Sequence, residues 1–334
     1  MRENVCAINR FPKRSILLAG LALLSQLAFR PANGQGQQSD SVNPVCVTPE
    51  MARLIVQEGD GIRVTAPHDG RNDTAGARDN ARGIRASKAP ETTKAMAEAH
   101  KGFQKAARQG YAPAEVNLAV LSLAGWGTRA NAGEALYWLR AAAQQGYAPA
   151  IFDLGIVYLV GCGVRRDYGE AFHFFEKGAV HGDPAAQMNL GYLFDQGLGV
   201  TQKRSEAAKW YRLAADQGEP RAQYNLADLY LRGEGVGHDE SAAFSWFQKA
   251  ALAGHAEARI MLGSMYAAGR GTPRDPAAAY MWLALATLQG DARANAKLDE
   301  VKSQLTREEL AEATVRAQSL AGQTNHLLWQ SPLH

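Results

Sequence analysis

The chain has 334 residues, with 36 Lys and Arg against 33 Asp and Glu, a formal charge of +3, and 46% hydrophobic residues. That content suits a folded protein and excludes a charge-dominated disordered chain. The positive excess lies in the first 34 residues; without them 31 basic and 32 acidic side chains remain, so the basic balance is no argument for a nucleic-acid partner.

The first predicted element is a targeting segment. Arg2, Arg10, Lys13 and Arg14 precede an apolar run of fourteen residues, Ile16 to Phe29. Such a run is too short to span a hydrocarbon layer of about 30 Å, and a basic stretch followed by a short apolar one reads as a secretory signal peptide. Ala32-Asn33-Gly34 offers small residues for cleavage, so residues 1–34 are assigned to the leader. The alternative is an uncleaved amphipathic anchor. The mature chain then carries no membrane span and is expected in the periplasm or outside the cell. No lipobox-type cysteine follows the run, and Cys6 leaves with the leader.

Residues 35–90 read as a largely disordered segment. Thr48-Pro49-Glu50 can open a short helix over 49–57, with Met51, Leu54 and Ile55 on one side. Beyond Gly59 the composition is Gly, Asp, Asn, Arg and Ala, too poor in large apolar side chains to offset the entropy of ordering.

From Gly110 onward the chain is periodic. Gly110, Gly146, Gly182, Gly218, Gly254 and Gly290 stand 36 residues apart. A fixed period of this size marks a stack of supersecondary units. Counting each of these glycines as position 0, position 4 is always alanine (Ala114 to Ala294) and position 8 always leucine (Leu118 to Leu298). Position 9 is small (Ala119, Gly155, Gly191, Ala227, Gly263) and position 12 mostly aromatic (Tyr158, Phe194, Tyr230, Tyr266). Positions 4, 8, 11 and 12 share one helical face, which defines a helix A. It stops at a Gly-x-Gly such as Gly197/Gly199, where glycine takes a positive φ without a Cβ clash. Helix B follows. Asn131 and Asp167 are N-caps with Glu134 and Glu170 three residues on, while Asp239 and Asp275 cap without the glutamate. Helix B carries Trp138, Phe174, Trp210, Trp246 and Trp282 at position 28, which are expected to pack inside the stack rather than bind a ligand.

The stretch AQMNLGYLFDQGLGVTQKRSEAAKWYRLAADQGEPRAQYNLADLYLRGEGV, with its neighbours from about Glu91 to Asp299, resembles the Sel1-like repeat family, a 36-residue cousin of the tetratricopeptide repeat. The resemblance implies an all-α fold, a right-handed α/α solenoid of about five full repeats with capping helices, over residues 91–321. It also implies protein or peptide binding, in adaptors and regulators of secretion, envelope or stress signalling. At the front, Glu91–Arg108 looks like a helix B without its helix A, and Gly102 stands where the large aromatic belongs. At the back, Asp291–Lys302 looks like a helix A, and Thr306 with Glu309 opens a last helix through about Leu320. Residues 322–334 are left as a tail.

Two cysteines remain in the mature chain, Cys46 and Cys162. In an oxidising compartment they can pair, closing a loop worth roughly 4–5 kcal/mol in the chain-entropy account. The other reading of each is a small residue that happens to be cysteine. Enzyme signatures are missing: no His-Glu-x-x-His, Cys-x-x-Cys, Ser-x-x-Lys or Gly-x-Ser-x-Gly occurs. His173 and His181 are eight apart, too far for two ligands of one metal on one helix. No catalysis, cofactor or metal is expected.

Positions 7, 10 and 14 of helix A vary between repeats and are read as surface. They assemble a candidate partner groove from Asn117, Asp153, Asn189, Tyr192, Asn225, Asp228 and Arg232. An asparagine amide can both donate to and accept from a peptide backbone; alternatively the asparagines cap or brace the neighbouring helix. The reading is an exported adaptor that regulates or assembles an envelope or secreted partner. Its alternatives are a cell-wall- or β-lactam-directed hydrolase, to which cysteine-rich members of the family have been linked, and an effector delivered to a host cell.

Overall fold

The computed structural model describes residues 74–87, 93–125, 128–288 and 290–330. Among them the regular structure is helical and no strand forms. The fold is all-α, built of consecutive helical pairs as in a Sel1-type α solenoid. The chain divides into two compact units, Met1–Gly178 and Ala179–His334. The proposed leader and the 49–57 helix lie outside the described residues.

The first unit opens with α1 (Thr74–Ser87) and α2 (Thr93–Ala107). Here the sequence expectation fails. Residues 74–87 are not linker; they are the helix A that α2 was thought to lack, so the array begins before Glu91. Gly83 sits so close to Phe103 that an added Cβ would lie 2.6 Å from the ring, and Gly102 faces Gly83 with a Cβ distance of 3.0 Å to its Cα. The odd glycine of the sequence is thus what lets α1 approach α2. Asp79 pairs with Lys105 at 3.0 Å and accepts from Gln109 at 3.1 Å. α1 buries a narrow face, which includes Asn80, Gly83 and Ile84. Its composition therefore resembles that of an unstructured segment.

Two further pairs follow: α3 (Ala112–Ala124) with α4 (Ala132–Gln144), and α5 (Ala148–Val160) with α6 (Tyr168–Val180). Asn131 accepts from Glu134 N at 3.1 Å and Asp167 from Glu170 N at 3.0 Å, as the caps predict.

The second unit contains α7 (Pro184–Gln196), α8 (Arg204–Asp216), α9 (Pro220–Arg232), α10 (Glu240–Leu252), α11 (Ala256–Ala268) and α12 (Pro276–Leu288). A 3-10 turn (Ala292–Ala294), α13 (Asn295–Lys302) and α14 (Arg307–Gln330) follow. The first glycine of each Gly-x-Gly ends helix A. The second has another role: a Cβ on Gly235 would lie 2.3 Å from the Arg204 carbonyl carbon, so only glycine lets the loop rest on the start of α8. Thr306 and Glu309 form the reciprocal capping box, Thr306 N donating to Glu309 at 2.9 Å and Glu309 N to Thr306 at 3.3 Å. α14 runs past the expected end near Leu320 to Gln330, so most of the predicted tail is helix. Ala313 and Ala317 are buried on the side of α14 that packs on α12.

The aromatic that fills the interior is not the one at position 28. Trp246 and Trp282 are buried, but Trp138, Phe174 and Trp210 are only half-buried. The next residue is buried throughout: Leu139, Phe175, Tyr211, Phe247 and Leu283. Position 29 lies four residues after the alanine at position 25 and three before the small residue at position 32, which centres it on the inner stripe. The glycines at position 9 meet this side chain, with an added Cβ 2.7 Å from the Tyr211 ring at Gly191. Gly191→Ala is therefore expected to lose about 1–3 kcal/mol by overpacking. Urea denaturation checks it, and an unchanged midpoint would show that the ring can move aside.

Candidate protein-interaction site

The candidate groove residues separate by unit. In the first, Asn117 is 7% exposed and Asp153 4%. Asn117 Nδ2 donates to Asn80 Oδ1 of α1 at 3.1 Å, so it braces the preceding helix. Asp153 Oδ1 has no hydrogen-bond partner among the described residues, and burial pushes its carboxyl up to about 7. In the second unit Asn189 is 2% exposed, its amide donating to Ala185 O at 2.8 Å. The expectation that positions 7 and 10 are surface thus fails for these three residues, and for Val120 and Ile156, all of them buried.

The rest reach solvent. Tyr192 and Asn225 are half-buried on α7 and α9, with Asn225 beside the Tyr211 hydroxyl. Asp228 and the exposed Arg232 pair at 2.9 Å, one helical turn apart. Burial raises the Asp228 carboxyl, and Arg232 opposes that shift. Arg204 bridges Asp195 at 3.3 Å and Glu234 at 3.2 Å nearby. These side chains make a mixed-charge surface with an aromatic ring and an amide, which can bind a partner. Among the described residues no three His, Cys, Asp or Glu side chains gather as a metal site, and no helix is long and apolar enough to cross a membrane. Cys162 is buried and disulfide-bonded, while Cys46 lies outside the described residues.

The Sel1 repeat model matches residues 97–111, 112–147, 148–183, 184–219, 220–255 and 256–291. The chain belongs to the Sel1 repeat family. It is similar to a Sel1 repeat protein from Oxalobacter formigenes at 30% identity, over 73% of this chain and 96% of that one, with a TM-score of 0.60. It is also similar to c5321, a protective antigen of uropathogenic Escherichia coli with an SLR fold, at 23% identity over 85% and 67% of the two chains, with a TM-score of 0.47. No curated protein matches it. Sel1 repeat proteins are generally protein-interaction scaffolds.

Within these Sel1 repeats, position 5 carries a polar ladder that sequence reasoning missed. Gln187, Gln223 and Arg259 are buried and donate to the carbonyls of Ala179, Ala215 and Ala251 at 3.2, 3.1 and 3.0 Å. Each adds a second donor to a carbonyl in the last turn of the preceding helix B, which already accepts from Gly182, Gly218 or Gly254 N. Glu115, at the same position in α3, accepts from Gln145 at 2.9 Å, and burial lifts its carboxyl to about 7. The available signal was a polar residue standing next to the unvarying alanine at position 4. Arg259 is the extreme case: fully buried, its Nη1 and Nη2 unpartnered, and its guanidinium lowered to about 10 by burial. His255 caps α11 by accepting from Ala258 N at 3.3 Å, and stacks on Tyr224 at 4.7 Å. Burial depresses it to about 4 against the opposing pull of Glu257, which keeps Nδ1 an acceptor at neutral pH.

Proposed function

We propose that this Sel1 repeat protein is an exported scaffold that regulates or assembles an envelope or secreted protein, without catalysis. It engages a protein or peptide through the accessible helix-A face of the second unit, centred on Tyr192, Asn225, Asp228 and Arg232. The observation that carries this reading is the division of labour along helix A. The unvarying residues are consumed in packing, whereas these four vary between repeats and reach solvent. Tyr and Arg are the side chains that most often anchor protein interfaces, and the Asn225 amide can pair with a peptide backbone. A periplasmic or extracellular site of action is supported by the basic-then-apolar leader and by the disulfide at Cys162, a bond favoured in oxidising compartments. A protein partner rather than nucleic acid is supported by the near-neutral charge of the chain beyond residue 34.

The test is affinity capture from the native envelope with the mature chain as bait, then titration of the purified partner. Tyr192→Ala, Asn225→Ala and Arg232→Ala together are expected to weaken binding at least tenfold while leaving helicity and Tm unchanged. Undiminished binding would remove this face from the proposal. A partner recovered only from the cytosol would remove export.

A further inference from the structure

The front helix of the first unit puts arginine where every later helix A puts its core stripe. In the 36-residue register Gly83 falls at position 9 and Phe103 at position 29, and the two meet as Gly155 and Phe175 do. Positions 4, 8 and 11 of α1 are then Arg78, Arg82 and Arg85. In α3, α5, α7, α9 and α11 the same positions hold buried apolar residues, such as Ala222, Leu226 and Leu229. The three arginines of α1 are exposed. α2 adds a second exposed row, Lys101 and Lys105 with Arg108 just past its end, at positions 27, 31 and 34. Asp79 joins the rows: hydrogen bonds from Lys105 and Gln109, with the nearby charges of Lys105 and Arg82, hold its carboxyl below the usual value.

Positive charge is concentrated here. Residues 75–110 carry 8 basic and 3 acidic side chains, whereas residues 111–334 carry 20 and 23. Capping an open end for solubility does not call for this. Like charges one helical turn apart, as at Arg78–Arg82 and Lys101–Lys105, repel and weaken the helix that bears them. The last helix, α14, mixes signs instead, with Glu312 and Arg316 paired at 2.6 Å. The chemistry of the rows also narrows the partner. Guanidinium groups match phosphate oxygens in two-pronged pairs. Protein interfaces draw most of their energy from desolvated aromatic or aliphatic anchors, and no large apolar side chain is exposed among the described residues of α1 and α2. Single-stranded nucleic acid is held along a basic track with stacking aromatics, and beyond residue 110 the chain is net acidic. A sheet of phosphates needs only the two rows.

We propose that the α1–α2 end of the array docks on an anionic phospholipid surface, with Arg78, Arg82 and Arg85, joined by Lys101, Lys105 and Arg108, set against the headgroup phosphates. The contact is peripheral and electrostatic: nothing apolar inserts, and salt screens it. It holds the scaffold at a membrane and leaves the helix-A face of the second unit to its own partner. Neither the identity of that partner nor the partner-binding reading enters the argument, so the two stand or fall separately.

The test is co-sedimentation of the mature chain with vesicles of phosphatidylethanolamine containing about one-third phosphatidylglycerol. Binding is expected at low salt, with release at about 0.5 M salt and none to vesicles of phosphatidylcholine alone. Each basic side chain near such a surface contributes roughly fivefold, so Arg78→Gln, Arg82→Gln and Arg85→Gln together should weaken binding on the order of a hundredfold. Helicity and Tm should not fall, because the replaced side chains are exposed. The matching three Arg→Lys changes should keep binding within a few-fold, and Arg316→Gln on α14 should leave it unchanged. Equal affinity for the neutral vesicles, or undiminished binding by the triple glutamine variant, overturns the proposal. Tighter binding to polyglutamate or to an oligonucleotide than to the anionic vesicles overturns it in favour of an acidic protein or a nucleic acid. Salt-sensitive dimerisation in place of vesicle binding overturns it in favour of a second copy.

Discussion

Phe247→Ala is expected to destabilise the second unit by about 3–5 kcal/mol, the range for deleting a buried aromatic ring. Phe247 is fully buried, among Leu226, Ala227, Ala243 and Leu262 of three successive helices. It meets the Tyr224 ring edge-on at 5.4 Å, and Tyr224 in turn stacks on the capping His255. Removing the ring leaves a cavity at the point where α9 and α10 join, and neighbouring alanines cannot extend to fill it. In a stack held by nearest-neighbour contacts the loss falls on adjoining pairs, so urea unfolding of this variant should also lose cooperativity. Trp210→Ala is the informative comparison. That residue is the more conspicuous in the sequence but only half-buried, and its loss should cost roughly half as much. Equal costs would show that position 28 shares the interior with position 29.

The second expectation concerns pH. Asp153→Asn should stabilise the first unit at pH 8 by on the order of 3–4 kcal/mol and do little at pH 4. The folded-state carboxyl titrates near 7 because burial disfavours the anion, whereas in the unfolded chain it titrates near its ordinary value. Between those values the folded state holds one more proton than the unfolded, so wild-type stability falls as pH rises through the window. Above 7 the cost of the buried anion is fully present. The amide cannot ionise, so the variant's advantage grows through the same window and then levels off. Glu115, also raised to about 7, adds a slope of the same sign. His255 in the second unit has the opposite sign. Its folded value near 4 lies below the ordinary one near 6.5, so its contribution is complete above 6.5 and is lost as pH falls through 4. Denaturant midpoints at pH 4, 5, 6, 7 and 8 check both. A variant whose advantage is the same at every pH would mean that Asp153 is neutral throughout, or charged and satisfied.

Equivalent positions of one repeat differ in character between the two units. Position 10 is Val120 and Ile156 in the first unit but Tyr192 and Asp228 in the second. That change from aliphatic to polar is visible in the chain, but variability between repeats does not distinguish it from surface variation; polarity does.

Much of the architecture is local in origin and was therefore legible. The glycine period, the alanine and leucine stripes, and the caps Asn131, Asp167, Asp239, Asp275 and Thr306 each depend on residues within a few positions of one another. Helix geometry alone converts them into paired helices of known length, and into membership of the Sel1 repeat family. Tertiary packing decided the rest. It turned residues 74–87 from an expected linker into α1, because contacts such as Gly83–Phe103, Asp79–Lys105 and Asn80–Asn117 dock a polar helix that its own segment does not announce. It set Tyr211 rather than Trp210 at the centre, enclosed Asn117, Asp153 and Asn189, and directed Gln187, Gln223 and Arg259 at carbonyls of the preceding pair. Burial is a property of what lies across from a side chain. Its own segment encodes a preference for being covered, but not which distant part of the chain does the covering.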